Sequence, residues 1–172
     1  INEDTFEPNL TTSLIIKACN KIIKENSRIL DLGCGSGIIG NYFFAKKKIK
    51  KIYSSDISKN AVKCATYNAK SLKANFDIRC GALLENWKKD KFDIIINDIS
   101  DISSKVSSLT DWFKSAPNDS GIDGIKFTLE ILNKYKNNLK KNGNLVFPII
   151  GLSNKSKIIH FMEKNLINYK IL

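Results

Sequence analysis

Histidine is almost missing from this sequence: His160 is the only one in 172 residues. A histidine-built zinc site is therefore poorly supported, and a Ser-His-Asp triad would have to use that one residue. Arginine is nearly as scarce. Of 28 basic residues only Arg28 and Arg79 are arginine, and the rest are lysine. The guanidinium reads phosphate bidentately, so its scarcity weakens the nucleic-acid inference that a net charge of +11 invites. Lys, Ile and Asn are abundant together, as in AT-rich coding sequence, so the charge permits a polyanionic partner without diagnosing one. Four cysteines (Cys19, Cys34, Cys64, Cys80) are far apart, with no C-x-x-C pair. They read as reduced, mostly buried thiols of a cytoplasmic protein. No apolar run approaches the length of a membrane span and no signal peptide is visible, so no membrane role is expected. The first residue is Ile1, which points to a start further upstream.

What is present reads as one domain over 1–172, long enough for a core of its own. Residues 1–26 form a lead-in and a first helix, with a threonine of the Thr11-Thr12 pair as its N-cap and Leu14, Ile15, Ala18, Cys19, Ile22 and Ile23 at helical spacing. Strands are expected at Ile29 to Leu32, Ile52 to Ser55, Phe76 to Cys80, Phe92 to Ile96 and Leu145 to Phe147, with a last strand over Ile167 to Leu172. Helices alternate with them. Ser58 caps one that turns Ala61, Val62, Ala65, Ala69 and Leu72 inward. Another carries the stripe Ile125, Leu129, Leu132, Tyr135 and Leu139 and ends at Gly143. The last runs from Lys157 to Leu166. The alternation predicts an α/β, doubly wound, mostly parallel sheet of Rossmann-like type with helices on both faces. Between them, 98–122 is a long connection, expected to hold a short helix near Val106 to Phe113 and to contact substrate.

The chain is organised around Ile29-Leu30-Asp31-Leu32-Gly33-Cys34-Gly35-Ser36-Gly37. A buried strand ends in a carboxylate, a glycine turn follows, and a helix starts. Such a turn lets backbone approach a ligand without Cβ clashes. In a doubly wound sheet, ligands sit outside the carboxyl ends of the strands, where Asp31, Asp56 and Asp98 all fall. The lysine runs at 46–51, 88–91 and 140–141 precede strands and so fall on the opposite edge, which reads as a solvated, dipole-matching edge in preference to the alternative, an RNA groove; Lys105, Lys114 and Lys126 stay near the site as candidate substrate contacts. Gly35 to Gly40 formally matches G-x-G-x-x-G, which would suggest NAD. However, a carboxylate at Asp31 repels a pyrophosphate and suits an ammonium. A ligand with a cationic amino-acid end and a ribose satisfies both Asp31 and Asp56, and S-adenosylmethionine is such a ligand.

Asp31 to Gly37 resembles the first motif of class I S-adenosylmethionine-dependent methyltransferases. The resemblance implies that Gly33, Cys34, Gly35 and Gly37 hold the methionine part, that Asp56 holds the ribose hydroxyls, and that Ile57 lies against the adenine. Arg79 to Glu85, Phe92 to Asn97 and Gly121 to Phe127 are similar to the HemK/PrmC-type and related small-domain N-methyltransferases, and the lead-in Phe6 to Thr12 resembles their segment over the methionine end. Ala82 and Leu83 then fall at the adenine, with Ala82 where the family has an Asp. The family's Asn-Pro-Pro-Tyr turn, which grips a planar nitrogen and aims its lone pair at the methyl, is here Asn97-Asp98-Ile99-Ser100. Asn97 and Asp98 are the candidate catalytic residues. The helical recognition domain of the release-factor enzymes has no counterpart, so a partner subunit or the 98–122 loop would supply recognition; Trp112 and Phe113 of that loop are read first as plugging it onto the core, and alternatively as stacking a base or clamping a peptide. The expected activity is methylation of a nitrogen on a protein side-chain amide. RNA, a small molecule, or a non-catalytic cofactor-binding role beside an active subunit are the alternatives.

Overall fold

The structure is a computed structural model and describes residues 5–109 and 118–172. Its centre is a five-stranded, wholly parallel sheet in the order β3-β2-β1-β4-β5. Helix α1 is Leu10–Asn20, followed by β1, Ile29–Leu32. Next come α2 (Ile38–Lys47), β2 (Ile52–Asp56), α3 (Lys59–Ser71) and β3 (Phe76–Cys80). A single 3-10 turn at Glu85–Trp87 leads into β4, Phe92–Asn97. The rest is α4 (Ser104–Leu109), α5 (Lys126–Lys134), a 3-10 turn at Tyr135–Asn137, β5 (Leu139–Val146) and α6 (Lys155–Lys164).

Strand parity builds the two layers. Ile29 of β1 joins Ile15 and Cys19 of α1 and Ile39 and Phe43 of α2 in one core. Leu30 and Leu32 point the other way, onto Trp87, Phe92, Ile95 and Ile131 of α5. All four β1 residues are buried, as expected of a central parallel strand covered on both sides. A third cluster packs α6 on α5 through Ile158, Met162, Ile125 and Leu132. Trp87 is wholly buried, its indole Nε1 donating to Ser55 Oγ at 3.1 Å.

Several sequence expectations are corrected. The N-cap of α1 is Asn9, whose carboxamide oxygen accepts from Thr11 N and Thr12 N; within Asn-Leu-Thr-Thr two cap types compete, and the asparagine wins by one turn position. The stripe ending at Leu139 is not one helix, because Leu139 already pairs with Phe92 in the sheet. Gly143 therefore lies inside β5. The register shifts between Phe92 and Ile94, Asn142 takes φ 65°, and a Cβ on Gly143 would sit 3.0 Å from the Phe92 and Asp93 carbonyls. That irregularity is a strand bulge. Leu72 is 57% exposed, and Cys64 takes the inward place beside Ala65. Residues 167–172 form no strand; they have no neighbouring strand to pair with among the described residues, and a lone strand is not stable. Within the lysine run, Ile49 is buried at 2%. Trp112, Phe113 and Lys114 lie outside the described residues.

Gly37 opens α2 at φ 77°, and its missing side chain leaves room for Ala65 of α3, whose Cβ would be 3.1 Å away. Gly37→Ala is expected to cost about 1–2 kcal/mol for the left-handed backbone alone, plus a contribution from parting α2 and α3. A shift of the urea midpoint at constant slope checks this. Gly40, the third glycine of the dinucleotide-like spacing, faces Phe76 and Ile52 at under 3 Å from a built Cβ. It serves close helix–sheet packing, whatever the ligand.

Candidate functional site

A cleft of about 460 Å³ opens over the carboxyl ends of β1, β2 and β4, where the strand order reverses. The glycine turn forms its floor. Gly33 N and Cys34 N donate to Ser55 O at 2.9 and 3.1 Å, tying the turn to β2. Gly33 (φ 71°) and Gly35 (φ 51°) both need the left-handed region, and the carbonyl of Phe6 passes 3.7 Å from where a Gly35 Cβ would be. The lead-in thus closes over the turn.

Of the residues expected from sequence, Thr12, Gly33, Cys34, Gly35, Asp56, Ile57, Ala82, Leu83 and Asp98 meet in the wall of this cleft. Asp56 Oδ2 accepts from Gly35 N and Oδ1 from Ser58 N, each at 2.9 Å. One carboxylate thereby joins the glycine turn to the start of α3, with lone pairs left over. Burial pushes its carboxyl up and the amides of Ser58 and Gly35 pull it back. Ile57 is 60% exposed at the rim. Cys34 is buried, and burial followed by the nearby Asp31 charge holds its thiol un-ionised, well above the usual range.

Asp31, Gly37 and Asn97 do not reach the wall. Asp31 has the parity of Ile29, which turns it under α1 and α2. It is fully buried, and neither carboxylate oxygen makes a well-formed hydrogen bond among the described residues, although the Gly40 amide of α2 lies near enough to favour its charge. Desolvation, then the Asp98 charge, raises its carboxyl well above the ordinary range. Asp31 thus lies beneath the glycine turn rather than in the cleft wall. Asn97 is 1% exposed at the end of β4. Its Oδ1 accepts from Ile99 N at 3.2 Å and its Nδ2 approaches Thr128 Oγ1 at 3.5 Å, so it braces the turn from behind. Of the lysines placed near the site, Lys105 and Lys126 are exposed and outside the wall.

Asp98 faces the cleft. Its amide donates to Leu32 O, and Thr12 Oγ1 donates to its Oδ2 at 3.2 Å. Burial pushes its carboxyl up to about 6. Sequence reasoning missed Asp101, which is buried beside it. Thr128 Oγ1 donates to Asp101 Oδ2 at 2.6 Å, Ser120 assists, and burial again holds the carboxyl up at about 6. The spacing of Thr128 between the apolar positions Ile125 and Ile131 hinted at an inward hydroxyl, but its partner lies 27 residues away. The charged residues of the wall are Asp56, Glu85, Asp98, Asp101 and Glu130, and no lysine, arginine or histidine joins them among the described residues. On a chain of net charge +11, the cleft is acidic.

A glycine turn at a topological switch point, an acidic residue ending the second strand and an acidic cleft agree with one result. The sequence pattern of the methyltransferase small domain matches residues 7–98, from the lead-in through Asp98. The chain belongs to that family. Release factor glutamine methyltransferase of Borreliella burgdorferi is 31% identical over 154 residues, 85% of this chain and 53% of that protein. Ribosomal protein L11 methyltransferase of Dictyoglomus thermophilum is 33% identical over 135 residues, 76% of this chain and 44% of that protein. This methyltransferase domain thus spans about half the length of the curated relatives it matches. The fold is that of the ribosomal protein L11 methylase structure from Lactobacillus delbrueckii subsp. bulgaricus, with a TM-score of 0.71 at 21% identity over 94% of this chain and 70% of that one. No helix among the described residues is long and apolar enough to cross a membrane.

Proposed function

We propose that this methyltransferase domain transfers a methyl group from S-adenosylmethionine to a nitrogen on a protein side chain, an amide in the first instance. The observation that carries the reading is the charge of the cleft. Five carboxylates without a cation favour a donor bearing an ammonium and a sulfonium. They disfavour the pyrophosphate of NAD and the phosphates of an RNA acceptor at the same place. The cleft volume also suits a ligand of this size.

The residues divide the donor as follows. Asp56 takes the ribose hydroxyls with its spare lone pairs. Ile57, Ala82 and Leu83 flank the adenine. The Gly33–Gly35 backbone runs along the methionine part, and Asp98, next to Thr12 and the lead-in, takes its ammonium. Sequence placed Asp98 with the acceptor; its position over the glycine turn and the sealed position of Asp31 favour the donor. The sulfonium supplies an activated methyl. What is left for the protein is to hold the nitrogen close and in line, and orientation can contribute about 7–11 kcal/mol. The wall from Asp98 to Ser100 does this, with Asn97 as a positioning residue behind it. As the nitrogen's electron pair forms the N–C bond, the S–C bond breaks, S-adenosylhomocysteine leaves, and the nitrogen releases a proton to a carboxylate of the wall or to water. The relatives, a release factor glutamine methyltransferase and a ribosomal protein L11 methyltransferase, support a protein acceptor.

Incubation with methyl-labelled S-adenosylmethionine and a cell extract tests this. Label is expected in protease-sensitive, RNase-resistant material. RNase-sensitive label would move the acceptor to RNA, and no label from a folded, cofactor-bound protein would favour a non-catalytic subunit. Asp56→Ala is expected to weaken cofactor binding about tenfold or more by calorimetry, since charged hydrogen bonds contribute about 1.5–3 kcal/mol.

A further inference from the structure

The acidic cleft leaves the positive charge to be found elsewhere, and topology puts it at the far edge of the sheet. In a parallel sheet all strands begin on one side. The segments entering β2 and β4 carry Lys46–Lys51 and Lys88–Lys91, and Lys140 and Lys141, expected ahead of the fifth strand, are instead the second and third residues of β5. In the order β2-β1-β4-β5 these segments lie on strands spaced about 4.8 Å apart, so the patch is roughly 15 Å wide. Lys48, Lys50, Lys88, Lys89, Lys91 and Lys141 are exposed there, and none has an ion-pair partner among the described residues. Of the acidic groups at this edge, Asp90 pairs with Arg28, Asp77 with Arg79 and Lys51, and Asp93 with Lys140, while Glu25, in the segment entering β1, is exposed among a larger number of lysines.

We propose that the edge where the strands begin is a docking surface for the phosphate backbone of RNA, opposite the catalytic cleft. The two arginines, the residues that could read bases bidentately, are only partly exposed and are engaged by neighbours, Arg28 with Asp90 and Arg79 with Asp77. Arg28 stacks on Tyr53 and Phe92 at 4.4 and 4.9 Å, and Arg79 lies 4.0 Å from the Trp87 ring. What faces solvent is a set of lysine point charges, which bind phosphate without reading sequence. An anionic membrane is the competing polyanion. Membrane-surface segments place apolar side chains among their lysines. Here Ile49, the apolar residue within 46–51, is buried, and the runs 88–91 and 140–141 contain no apolar residue; the exposed Leu72 and Leu166 stand apart from the runs, just past the ends of α3 and α6. The charge of the chain is therefore separated into an acidic cleft and a basic edge, which lets one partner enter the cleft while a polyanion is held behind it.

Fluorescence anisotropy with a short unstructured RNA and with an RNA hairpin tests this. Both are expected to bind at about 0.15 M salt with similar affinity. The logarithm of the affinity should fall with the logarithm of salt with a slope of about −4, as for six lysines at about 0.7 each. Reversing Lys88, Lys89 and Lys91 to Glu together should weaken binding about tenfold or more and shrink the slope by about two. Reversing Lys59, Lys105 and Lys155, which stand in the first turns of helices leaving the opposite edge, makes the same change in net charge and should do much less. Thermal melts of both variants check folding. Equal losses in the two variants would reduce the effect to net charge and overturn the proposal. So would absence of RNA binding by the unaltered chain, or lysine-dependent binding to phosphatidylserine vesicles without RNA binding.

Discussion

Asp98→Asn is expected to weaken binding of S-adenosylhomocysteine about ten- to a hundredfold while leaving 5′-methylthioadenosine nearly unaffected. The two ligands share adenine, ribose and the thioether, and differ in the amino-acid end. A loss confined to the first therefore isolates the ammonium contact. The magnitude is that of one charge-assisted hydrogen bond, about 1.5–3 kcal/mol. Asparagine keeps the size of the side chain and can still accept from Thr12, so the fold is retained.

The pH dependence follows from the same site. Burial holds the Asp98 carboxyl at about 6 in the free protein. Its affinity for the ammonium is expected to fall as pH drops from 7 to 5 and the carboxyl takes up a proton, whereas 5′-methylthioadenosine shows no such slope and Asp98→Asn abolishes it. Stability of the free protein runs in the opposite direction. A carboxyl whose folded pKa lies above its unfolded value favours folding when protonated, so this contribution is lost as pH rises from about 4 to about 6. The neutral variant avoids the cost, and its unfolding midpoint at pH 7 should lie above that of the unaltered chain. Equal losses for the two ligands, or no loss for either, would remove Asp98 from the ammonium site. Failure of the unaltered chain to bind either ligand would instead count against the cofactor assignment itself.

The contrast between Asp98 and Asp31 shows where sequence reasoning reaches its limit. The glycine turn, the acidic residue ending β2 and the apolar runs of β1 and β4 were readable because each is a local signal: a turn that needs positive φ, a carboxylate at a strand end, a run too apolar to face water. Asp31 also sits near a strand end, and its spacing is right. What keeps it out of the cleft wall is α1, which covers that face of the sheet through Ile15 and Cys19. The position of α1 depends on packing between residues far apart in sequence. The start of β5 was hidden for a related reason. Leu139 continues the spacing of α5, but pairing with Phe92 outweighs a single helical position, and the bulge at Asn142 and Gly143 lets the strand recover its register. The alternating end of the chain has strand-like residues, yet alternation specifies a strand only where a neighbour is there to pair with.

Asp101 and Thr128 are the part of the site least visible in sequence, and they carry the second large effect. Thr128→Val keeps the shape of the side chain and removes its hydroxyl. Asp101 Oδ2 then loses its donor at 2.6 Å, its Oδ1 already has no partner among the described residues, and Ser120 alone remains to support the charge. The hydroxyl favours the ionised carboxyl, so its removal raises a pKa that already stands at about 6. The penalty must therefore grow with pH: about 2–3 kcal/mol at pH 7.5, where the parent Asp101 is charged, and about 1 kcal/mol or less at pH 5, where it is largely neutral. Urea midpoints at the two pH values measure this, and the same penalty at both would show that Asp101 is not the group Thr128 serves. The double variant Thr128→Val, Asp101→Asn should lose the pH dependence. The effect reaches the cleft because the same turn is held from several sides. Ser120 N donates to Ile102 O at 2.8 Å, and a Cβ on Gly124 would come within 3.1 Å of Asp101 O, so the segment 118–124 rests directly on the wall from Ser100 to Ile102. Loosening Asp101 frees that wall on the proposed acceptor side, while Asp98, the proposed ammonium site, is tied separately to Thr12 and Leu32. Thr128→Val should accordingly lower methyl transfer more than it lowers S-adenosylhomocysteine affinity.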